Sequence, residues 1–243
     1  MSNRSSEQSG AGSPVDSVLA ARNVSKQVSS PEGDLTILAD VSFSIAPGES
    51  VAVVGPSGAG KSTLLALMAG LDVPTSGTIW LNGSDLTGLD EDGRALVRAA
   101  HVGFVFQSFH LVPSLTALEN VMLPLELAGA RDAETRARAV LDQVGLTERA
   151  RHYPSQLSGG EKQRVAIARA FATEPAVLFA DEPTGNLDSR TGRNVIDLMF
   201  EMNRRAATTL VLVTHDRALA SRCERELTLE AGRLVADTRS EAA

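Results

Sequence analysis

The chain has 243 residues, of which 43% are hydrophobic and 22% are charged, a composition that argues against a disordered or fibrous protein. Its net charge of −7 argues against a nucleic-acid partner, because proteins that bind phosphate backbones usually carry an excess of Lys and Arg. The lone cysteine, Cys223, suits a reducing cytoplasm, and neither a secretion leader nor an apolar run of about 18 residues is evident. The length predicts one large domain, or one domain with a subdomain.

The N-terminal part of the chain is predicted to begin as a tail and to continue mainly as strands. Residues 1–17 are rich in Ser, Gly, Asn and Gln, which favours disorder, so the folded domain is expected at residues 18–243. Apolar runs and alternation predict strands at residues 18–24, 35–45, 50–54 and 77–81. Helices are predicted at residues 61–69 and 90–100, and Asn82-Gly83 predicts a hairpin turn.

The rest of the chain alternates strands and helices around a helical insertion. Strands are predicted at residues 102–106, 176–181, 209–214 and 226–230, with a polar helix following the second of them up to residue 205. About residues 108–172 show helical periodicity only, including a helix at 159–172, and are expected to form an inserted helical subdomain. Alternating strands and helices predict an α/β fold with a parallel sheet.

A phosphate-binding loop, the P-loop, is predicted between the strand at 50–54 and the helix that follows it. It fits the pattern G-x-x-x-x-G-K-[ST] and consists of Gly55, Pro56, Ser57, Gly58, Ala59, Gly60, Lys61, Ser62 and Thr63. Glycines let backbone N–H groups converge on phosphate oxygens, and the helix N-terminus adds its positive dipole end. Lys61 would place an ammonium on the outer phosphates, and the Ser62 hydroxyl would bind Mg²⁺. The alternative is a glycine-rich turn that only caps a helix.

Two carboxylates, Asp181 and Glu182, end the predicted buried strand at 176–181. In a P-loop NTPase sheet this strand lies beside the phosphate loop, so its carboxyl end faces the γ-phosphate and Mg²⁺. Asp181 is expected to hold Mg²⁺ through a water, and Glu182 is expected to polarise the attacking water. The alternative for Glu182 is an exposed acidic residue at a strand end.

A second anion cradle, the signature loop (residues 158–161), opens the helix at 159–172. Ser158 suits the N-cap, Gly159 and Gly160 allow close backbone approach, and Glu161 follows. One nucleotide needs one P-loop, yet the chain has two cradles and one Lys/Mg²⁺ set. Either a second anion binds, or the second cradle completes the site of another copy, which head-to-tail pairing of two chains would explain.

Together these motifs resemble the nucleotide-binding subunit of ABC transporters, over about residues 18–234. Gln107, Asn186-Leu187-Asp188 and His215 stand in the order and spacing of that family. The resemblance implies a P-loop NTPase sheet with an N-terminal antiparallel β subdomain and the helical signature subdomain. It also implies that two copies hold ATP and Mg²⁺ between the P-loop of one and the signature loop of the other.

The same resemblance implies roles for individual residues. Glu182 would be the catalytic base, and Gln107 would sense Mg²⁺ and the lytic water. Asp188 would belong to a loop that crosses the interface, and His215 would contact the γ-phosphate as a switch. Most family members place an aromatic residue where Val28 stands, to stack on adenine, so we expect modest affinity and weak discrimination between ATP and GTP.

Within the family, residues 103–111, 154–156 and 181–188 resemble the lipoprotein-release and macrolide-efflux branch, and in it the YbbA type. This resemblance implies an integral-membrane permease as partner, at the cytoplasmic face of the inner membrane. The work would be mechanotransmission or export of a hydrophobic or lipid-linked substrate. A regulatory module is one alternative. A DNA- or ribosome-associated ATPase is the other, but the coiled coils, zinc insert or tandem cassettes of such proteins are missing.

The stretch at residues 109–115 is apolar for a loop and directly follows Gln107. Exposed apolar residues often mark a docking surface, so we expect this stretch to receive a helix of the permease. The alternative is that its side chains fill the core of the helical subdomain.

Overall fold

The computed structural model describes residues 16–30 and 33–239, so the predicted tail up to residue 15 lies outside the described residues, as do Pro31 and Glu32 of the predicted turn. The strands are β1 (Leu19–Ser30), β2 (Gly33–Ile45), β3 (Ser50–Val54), β4 (Ser76–Leu81), β5 (Ser84–Asp85), β6 (Val102–Phe106), β7 (Val177–Asp181), β8 (Thr209–Val213), β9 (Arg225–Glu230) and β10 (Arg233–Arg239). The α-helices are α1 (Lys61–Met68), α2 (Glu91–His101), α3 (Ala117–Leu127), α4 (Ala133–Gln143), α5 (Gly159–Phe171), α6 (Ser189–Ala206) and α7 (Arg217–Ala220).

These strands form two sheets. A four-stranded antiparallel sheet has the order β2-β1-β4-β5, and a six-stranded sheet has the order β10-β9-β3-β8-β7-β6. In the larger sheet neighbouring strands from β9 to β6 pair in parallel, and β10 is antiparallel to β9. The predicted α/β fold with an antiparallel N-terminal sheet is confirmed.

The central strands are buried on both faces, which explains why their sequences are almost continuously apolar. In β3, Val51 and Val53 belong to the hydrophobic cluster shared with α1 and the N-terminal sheet, whereas Ala52 belongs to the cluster shared with α3, α4, α5 and α6. In β7, Phe179 likewise belongs to the first of these clusters and Leu178 to the second. The sheet therefore separates two cores, one on each of its faces.

The register of the parallel strands brings their carboxyl ends to one edge of the sheet. Val53 of β3 pairs with Val213 of β8, which pairs in turn with Asp181 of β7. Asp181 pairs with Phe106 of β6. The segments that follow these strands are the P-loop, Thr214-His215, Glu182 and Gln107, so the topology gathers these predicted site residues at this edge.

Two strands differ from the sequence prediction. β1 continues to Ser30 through residues predicted as a polar turn region, because Val28 and Gln27 pair with Leu35 and Thr36 of β2 in a long hairpin. β10 was not predicted, since it is a half-exposed edge strand with a weak apolar pattern. Its turn reaches the N-terminal sheet, where Ala39 N–H donates a 2.9 Å hydrogen bond to the Gly232 carbonyl oxygen.

Residues 109–115 are neither fully exposed nor fully buried: four of them are half-buried and three are exposed. Leu111 is half-buried and packs against the core that includes α3 and α5, as the alternative supposed. Buried Asn120 holds the neighbouring backbone, because its amide donates to the carbonyl oxygens of Val112 and Leu115 at 3.2 and 3.0 Å. The larger exposed apolar side chains of the helices are Leu96 (72% exposed) and Leu127 (81% exposed).

Candidate active site

The P-loop leaves the start of α1 open to an anion. Gly60 occupies the N-cap with a φ of 96°, and no side chain caps the helix. A Cβ at Gly60 would lie 2.7 Å from Leu38 Cδ2, and a Cβ at Gly55, whose φ is 149°, would lie 2.1 Å from the Leu229 carbonyl oxygen. Only glycine fits these contacts and dihedral angles. The first N–H groups of α1 therefore remain available to phosphate oxygens.

Two side chains of the P-loop point to phosphate and metal chemistry. Lys61 Nζ donates to the carbonyl oxygens of Gly55 and Pro56 at 2.8 and 2.9 Å, which places its ammonium over the loop. The Ser62 side chain is exposed and makes no hydrogen bond with a described residue. The hydroxyl and the ammonium thus fit the Mg²⁺ and phosphate partners that the sequence predicts for them.

Asp181 and Glu182 lie at the end of β7 in different environments. Burial raises the pKa of the half-buried Asp181, the charge of Glu182 raises it further, and the charge of Lys61 opposes both effects. A cation beside Asp181 would stabilise the ionised carboxylate and lower its pKa. The chemistry of this donor set, Asp181 together with the Ser62 hydroxyl, therefore fits Mg²⁺.

The carboxylate of Glu182 is fixed by the segment after β8. Thr214 Oγ1 donates to one carboxylate oxygen at 3.2 Å, and the backbone N–H of His215 donates to the other at 2.9 Å. His215 Nδ1 lies 2.6 Å from that second oxygen, Oε1. Glu182 itself has a φ of 45°, in the left-handed region where a non-glycine residue is strained. This strain and these contacts aim the carboxylate differently from Asp181.

The side chain and backbone of Gln107 contact the loop that follows Glu182. Its amide Nε2 donates to Asn186 Oδ1 at 3.3 Å, and Asn186 Nδ2 donates back to the Gln107 carbonyl oxygen at 3.0 Å. A Cβ at Gly185 would lie 2.6 Å from Gln107 Nε2. The structure thereby joins Gln107 to the segment of Glu182 and Asp188. The partner, Asn186, was seen in the sequence only as part of a family motif.

The signature loop, unlike the P-loop, is already capped by side chains. Ser158 Oγ accepts from the Glu161 N–H at 3.3 Å, and Glu161 Oε2 accepts from the Ser158 N–H and hydroxyl, each at 2.8 Å. Arg149 donates to the other Glu161 oxygen at 3.0 Å. The Ser158 hydrogen bonds and Arg149 lower the pKa of Glu161 to about 2. Both oxygens of Glu161 thus have partners inside the chain, and no sequence pattern indicated the contact with Arg149.

The signature loop packs on the region of Asp188. A Cβ at Gly160 would lie 2.5 Å from Thr191 Cγ2, and one at Gly159 would lie 3.2 Å from Leu187 Cδ2. Asp188 caps α6, accepting from the backbone of Arg190 and Thr191, and hydrogen bonds with Thr191 chiefly lower the pKa of Asp188. Among the described residues, no hydrogen bond or ion pair joins the signature loop to the P-loop.

Val28 lies on the hairpin beside the P-loop. It is 41% exposed and faces Leu35, which is 56% exposed, across the β1–β2 ladder. The same strand, β2, contacts Gly60 through Leu38. Sequence reasoning missed Leu35, because the cross-strand pair appears only once the register is known. The site combines an exposed strand edge, an open phosphate loop and two carboxylates at a strand end. This combination defines a nucleotide-hydrolysing domain of the P-loop class.

Comparison with known proteins gives the family. The family profile described as ABC transporter matches residues 38–185. The chain is 54% identical over 223 residues to the uncharacterized ABC transporter ATP-binding protein YbbA of Escherichia coli (strain K12), covering 91% of this chain and 98% of that protein. It is 49% identical over 212 residues to the lipoprotein-releasing system ATP-binding protein LolD of Coxiella burnetii, covering 85% of this chain and 91% of LolD.

A solved structure agrees with these matches. The ATP-binding cassette MJ0796, solved as a dimer in a post-hydrolysis state with ADP and Pi, superimposes with a TM-score of 0.84 at 39% identity, over 93% of this chain and 100% of that one. The chain belongs to the ABC transporter family. It is an ATP-binding, ATP-hydrolysing subunit of the LolD and YbbA type, and these sequence predictions are confirmed. No helix of the described residues is both long and apolar enough to cross a bilayer.

Proposed function

We propose that two copies of this chain pair head to tail, hydrolyse Mg²⁺-bound ATP between them and thereby drive a separate membrane permease. One observation carries this proposal: the chain holds two phosphate cradles that are built differently and share no hydrogen bond within the described residues. A nucleotide bound at the open P-loop would leave the capped signature loop free for the nucleotide of the second copy. The dimeric form of MJ0796, with ADP and Pi, supports the pairing.

In each site the P-loop, residues 55–63, would bind the phosphates. Ser62, Asp181 and Gln107 would hold Mg²⁺, which neutralises phosphate charge when it is bound. Val28, with Leu35, would contact the adenine. The second copy would contribute its Ser158, Gly159 and Gly160, while Glu161 holds that loop in shape and Asp188 lies at the interface.

Glu182 would act as general base in the chemical step. It accepts a proton from the attacking water as the water oxygen bonds to the γ-phosphorus and the bond to the β–γ bridging oxygen breaks, releasing phosphate and ADP. Thr214 and His215 keep the carboxylate in place, as their hydrogen bonds to Glu182 indicate. The contact with His215 also makes that residue suitable as a switch that reports the γ-phosphate.

The partner would be an integral-membrane permease at the cytoplasmic face of the inner membrane, acting on a hydrophobic or lipid-linked substrate. The name of LolD, a lipoprotein-releasing system protein, supports this class of substrate. The docking surface would be the apolar groove between β6, α3 and α5, of about 310 Å³, lined by Phe104, Pro124 and Leu127 among others. Exposed Leu127 lies in the helical subdomain that we place at about residues 108–172.

Light scattering of the full chain tests the pairing. With Glu182→Gln, which should hold ATP without turnover, we expect a shift from monomer to dimer when Mg²⁺-ATP is added, and no shift with Mg²⁺-ADP. A chain that stays monomeric with ATP would contradict the paired site. Adding Gly159→Asp to Glu182→Gln should restore the monomer, since it places a carboxylate beside the partner's phosphate.

Site-specific crosslinking in cells tests the partner. A photoreactive amino acid at Leu127 should capture a protein with membrane-spanning segments, identified by mass spectrometry, whose reconstitution raises the ATPase rate. The same amino acid at Val235, exposed on β10, is the control and should not capture it. Capture from Val235 but not from Leu127 would place the permease elsewhere.

A further inference from the structure

A strained turn directly follows Gln107. Phe109 and His110 both have left-handed backbone conformations, with φ values of 59° and 50°, although neither is a glycine. Non-glycine residues seldom adopt this region, and two in succession persist only when other contacts hold them. The His110 ring stacks on Phe106, with 4.8 Å between ring centroids, which fixes one side of the turn.

One side chain holds this turn from another element. Arg169, near the end of α5, donates from Nη1 to the His110 carbonyl oxygen at 2.7 Å and from Nη2 to the Phe109 carbonyl oxygen at 3.0 Å. The two nitrogens of one planar guanidinium thus engage two successive carbonyl groups in a fixed fork, which the single flexible ammonium of a lysine would hold less rigidly. Arg169 therefore fixes the backbone two and three residues after Gln107.

The environment of Arg169 is unusual for a charged residue. No carboxylate of the described residues forms an ion pair with it, and burial lowers the pKa of its guanidinium. The same side chain lines the apolar groove that also contains Phe104 and Leu127. A buried charge is unfavourable unless it is paired or well hydrogen-bonded, so the two carbonyl groups are its main compensation. The guanidinium therefore lies between the groove and the Gln107 turn.

We infer that Arg169 is a positioning residue for ATP hydrolysis, which holds the turn at 109–110 so that Gln107 can reach Mg²⁺ and the attacking water. Because Arg169 also lines the groove, a helix that enters the groove would displace the guanidinium or the turn and change the placement of Gln107. This inference rests on the proposed roles of Gln107 and of the groove. It adds a physical connection between them that does not pass through the signature loop.

Steady-state ATPase kinetics of the full chain, measured as kcat and KM for ATP, test the role. Arg169→Met should lower kcat by about 10- to 100-fold, the range expected for a small displacement of a catalytic group, with KM changed less than threefold. Arg164→Met is the matched control, because Arg164 lies on the same helix and donates to a backbone carbonyl, that of Val144, at 3.3 Å. It should keep kcat within about twofold of the unsubstituted chain.

The decisive comparison uses Gln107→Ala as background. If Arg169 acts through Gln107, adding Arg169→Met to Gln107→Ala should lower kcat by no more than about twofold further. A full additional loss would overturn the inference, since Arg169 would then act independently. A Gln107→Ala chain with unchanged kcat would instead overturn the proposed role of Gln107, and the inference with it, which is a distinguishable result.

A second substitution covers the case in which Arg169→Met does not fold. Arg169→Lys keeps the positive charge and most of the side-chain volume but replaces the rigid two-nitrogen fork by one nitrogen on a flexible chain. We expect a folded chain, with unchanged nucleotide affinity and a kcat between those of the unsubstituted chain and Gln107→Ala. A kcat of Arg169→Lys equal to that of the unsubstituted chain would show that the forked contact with Phe109 and His110 does not position Gln107.

Discussion

The P-loop and the signature loop are both glycine-containing segments that open a helix, yet the structure completes them differently. The P-loop has no side-chain cap, and its Lys61 ammonium rests on the loop's own carbonyl groups. The signature loop is closed by the Ser158–Glu161 capping box, which Arg149 reinforces. Within the described residues no side chain caps the helix of the first cradle, whereas the helix of the second is capped by Ser158 and Glu161. This contrast supports the proposal that the P-loop binds the nucleotide and that the signature loop of a second copy covers it as a preformed surface.

The largest expected effect concerns the carboxylate of Glu182, at the end of β7. Glu182→Gln should lower kcat by about 10²- to 10⁴-fold, because it removes general-base assistance, while the Kd for ATP stays within about twofold. The measurement is phosphate release together with equilibrium ATP binding. Glu230→Gln is the control, since Glu230 is an exposed carboxylate at the end of β9. If Glu182→Gln hydrolysed ATP at a rate near that of the control, Glu182 would not be the general base.

Lysines near the two cradles should behave differently. Lys61→Met should raise the Kd of a single copy for ATP by about 10- to 100-fold, because charge-assisted hydrogen bonds contribute about 1.5–3 kcal/mol. Lys162→Met, next to the signature loop, should leave that Kd unchanged. Both values are measured by ATP titration at a protein concentration where the chain is monomeric. Equal losses from the two substitutions would mean that the cradles are equivalent and would break the comparison.

The preformed state of the signature loop can be measured without nucleotide. Glu161→Ala should lower the free energy of unfolding by about 1–2 kcal/mol, a fall in Tm of roughly 2–8 °C. Glu161→Gln should lower the free energy of unfolding by less, because glutamine can also complete a capping box.

The pH dependence of the same variants has a definite sign. The pKa of Glu161 falls from 4.5 to about 2 on folding, so its carboxylate stabilises the folded chain above about pH 4.5, and this contribution disappears as the pH falls towards 2. The Tm difference between the unsubstituted chain and Glu161→Gln should therefore narrow over that range. A difference that stays constant from pH 7 to about pH 3 would contradict the assigned ion pair and hydrogen bonds.

The smallest expected effect concerns contacts with the adenine base of ATP, which would bind outside both phosphate cradles. Val28→Tyr should lower the Kd for ATP severalfold, since base–aromatic stacking contributes about 1–3 kcal/mol per base and part of it is offset by the lost aliphatic contact. The unsubstituted chain should discriminate poorly between ATP and GTP in the same titrations. Val235→Tyr, on β10, is the control. Strong preference for ATP without the tyrosine, and no gain with it, would show that Val28 and Leu35 already form a sufficient contact.

The sequence predicted the parts of the fold that depend on local pattern. The continuous apolar runs of β3, β7 and β8 and the glycine spacing of the P-loop each indicate their structure within a few residues. β10 escaped prediction because its half-exposed residues gain their strand conformation only from pairing with β9. β1 was predicted too short for a similar reason, since its polar end is held by the partner strand.

For the candidate site, the sequence indicated which residues carry the chemistry but not what holds them. Arg149 and Arg169 lie 12 and 59–60 residues from the groups they contact, so no local pattern reveals them. Docking at residues 109–115 stays a prediction, since their apolar side chains are half-buried or exposed, and the sequence did not single out the exposed Leu127 nearby. The exposed apolar side chain of Leu127 belongs to α3, a helix that buries five of its eleven residues.

The turn at Gly232, far from every motif in the sequence, is connected to the P-loop through β2. A Cβ at this position would lie 2.4 Å from the Ile37 carbonyl oxygen, and the next residue of that strand, Leu38, touches Gly60 of the P-loop. Any larger residue at 232 would push β2, and β2 would in turn press on the loop. A substitution at this C-terminal position, outside the matched family segment, is therefore expected to disturb the P-loop and weaken ATP binding.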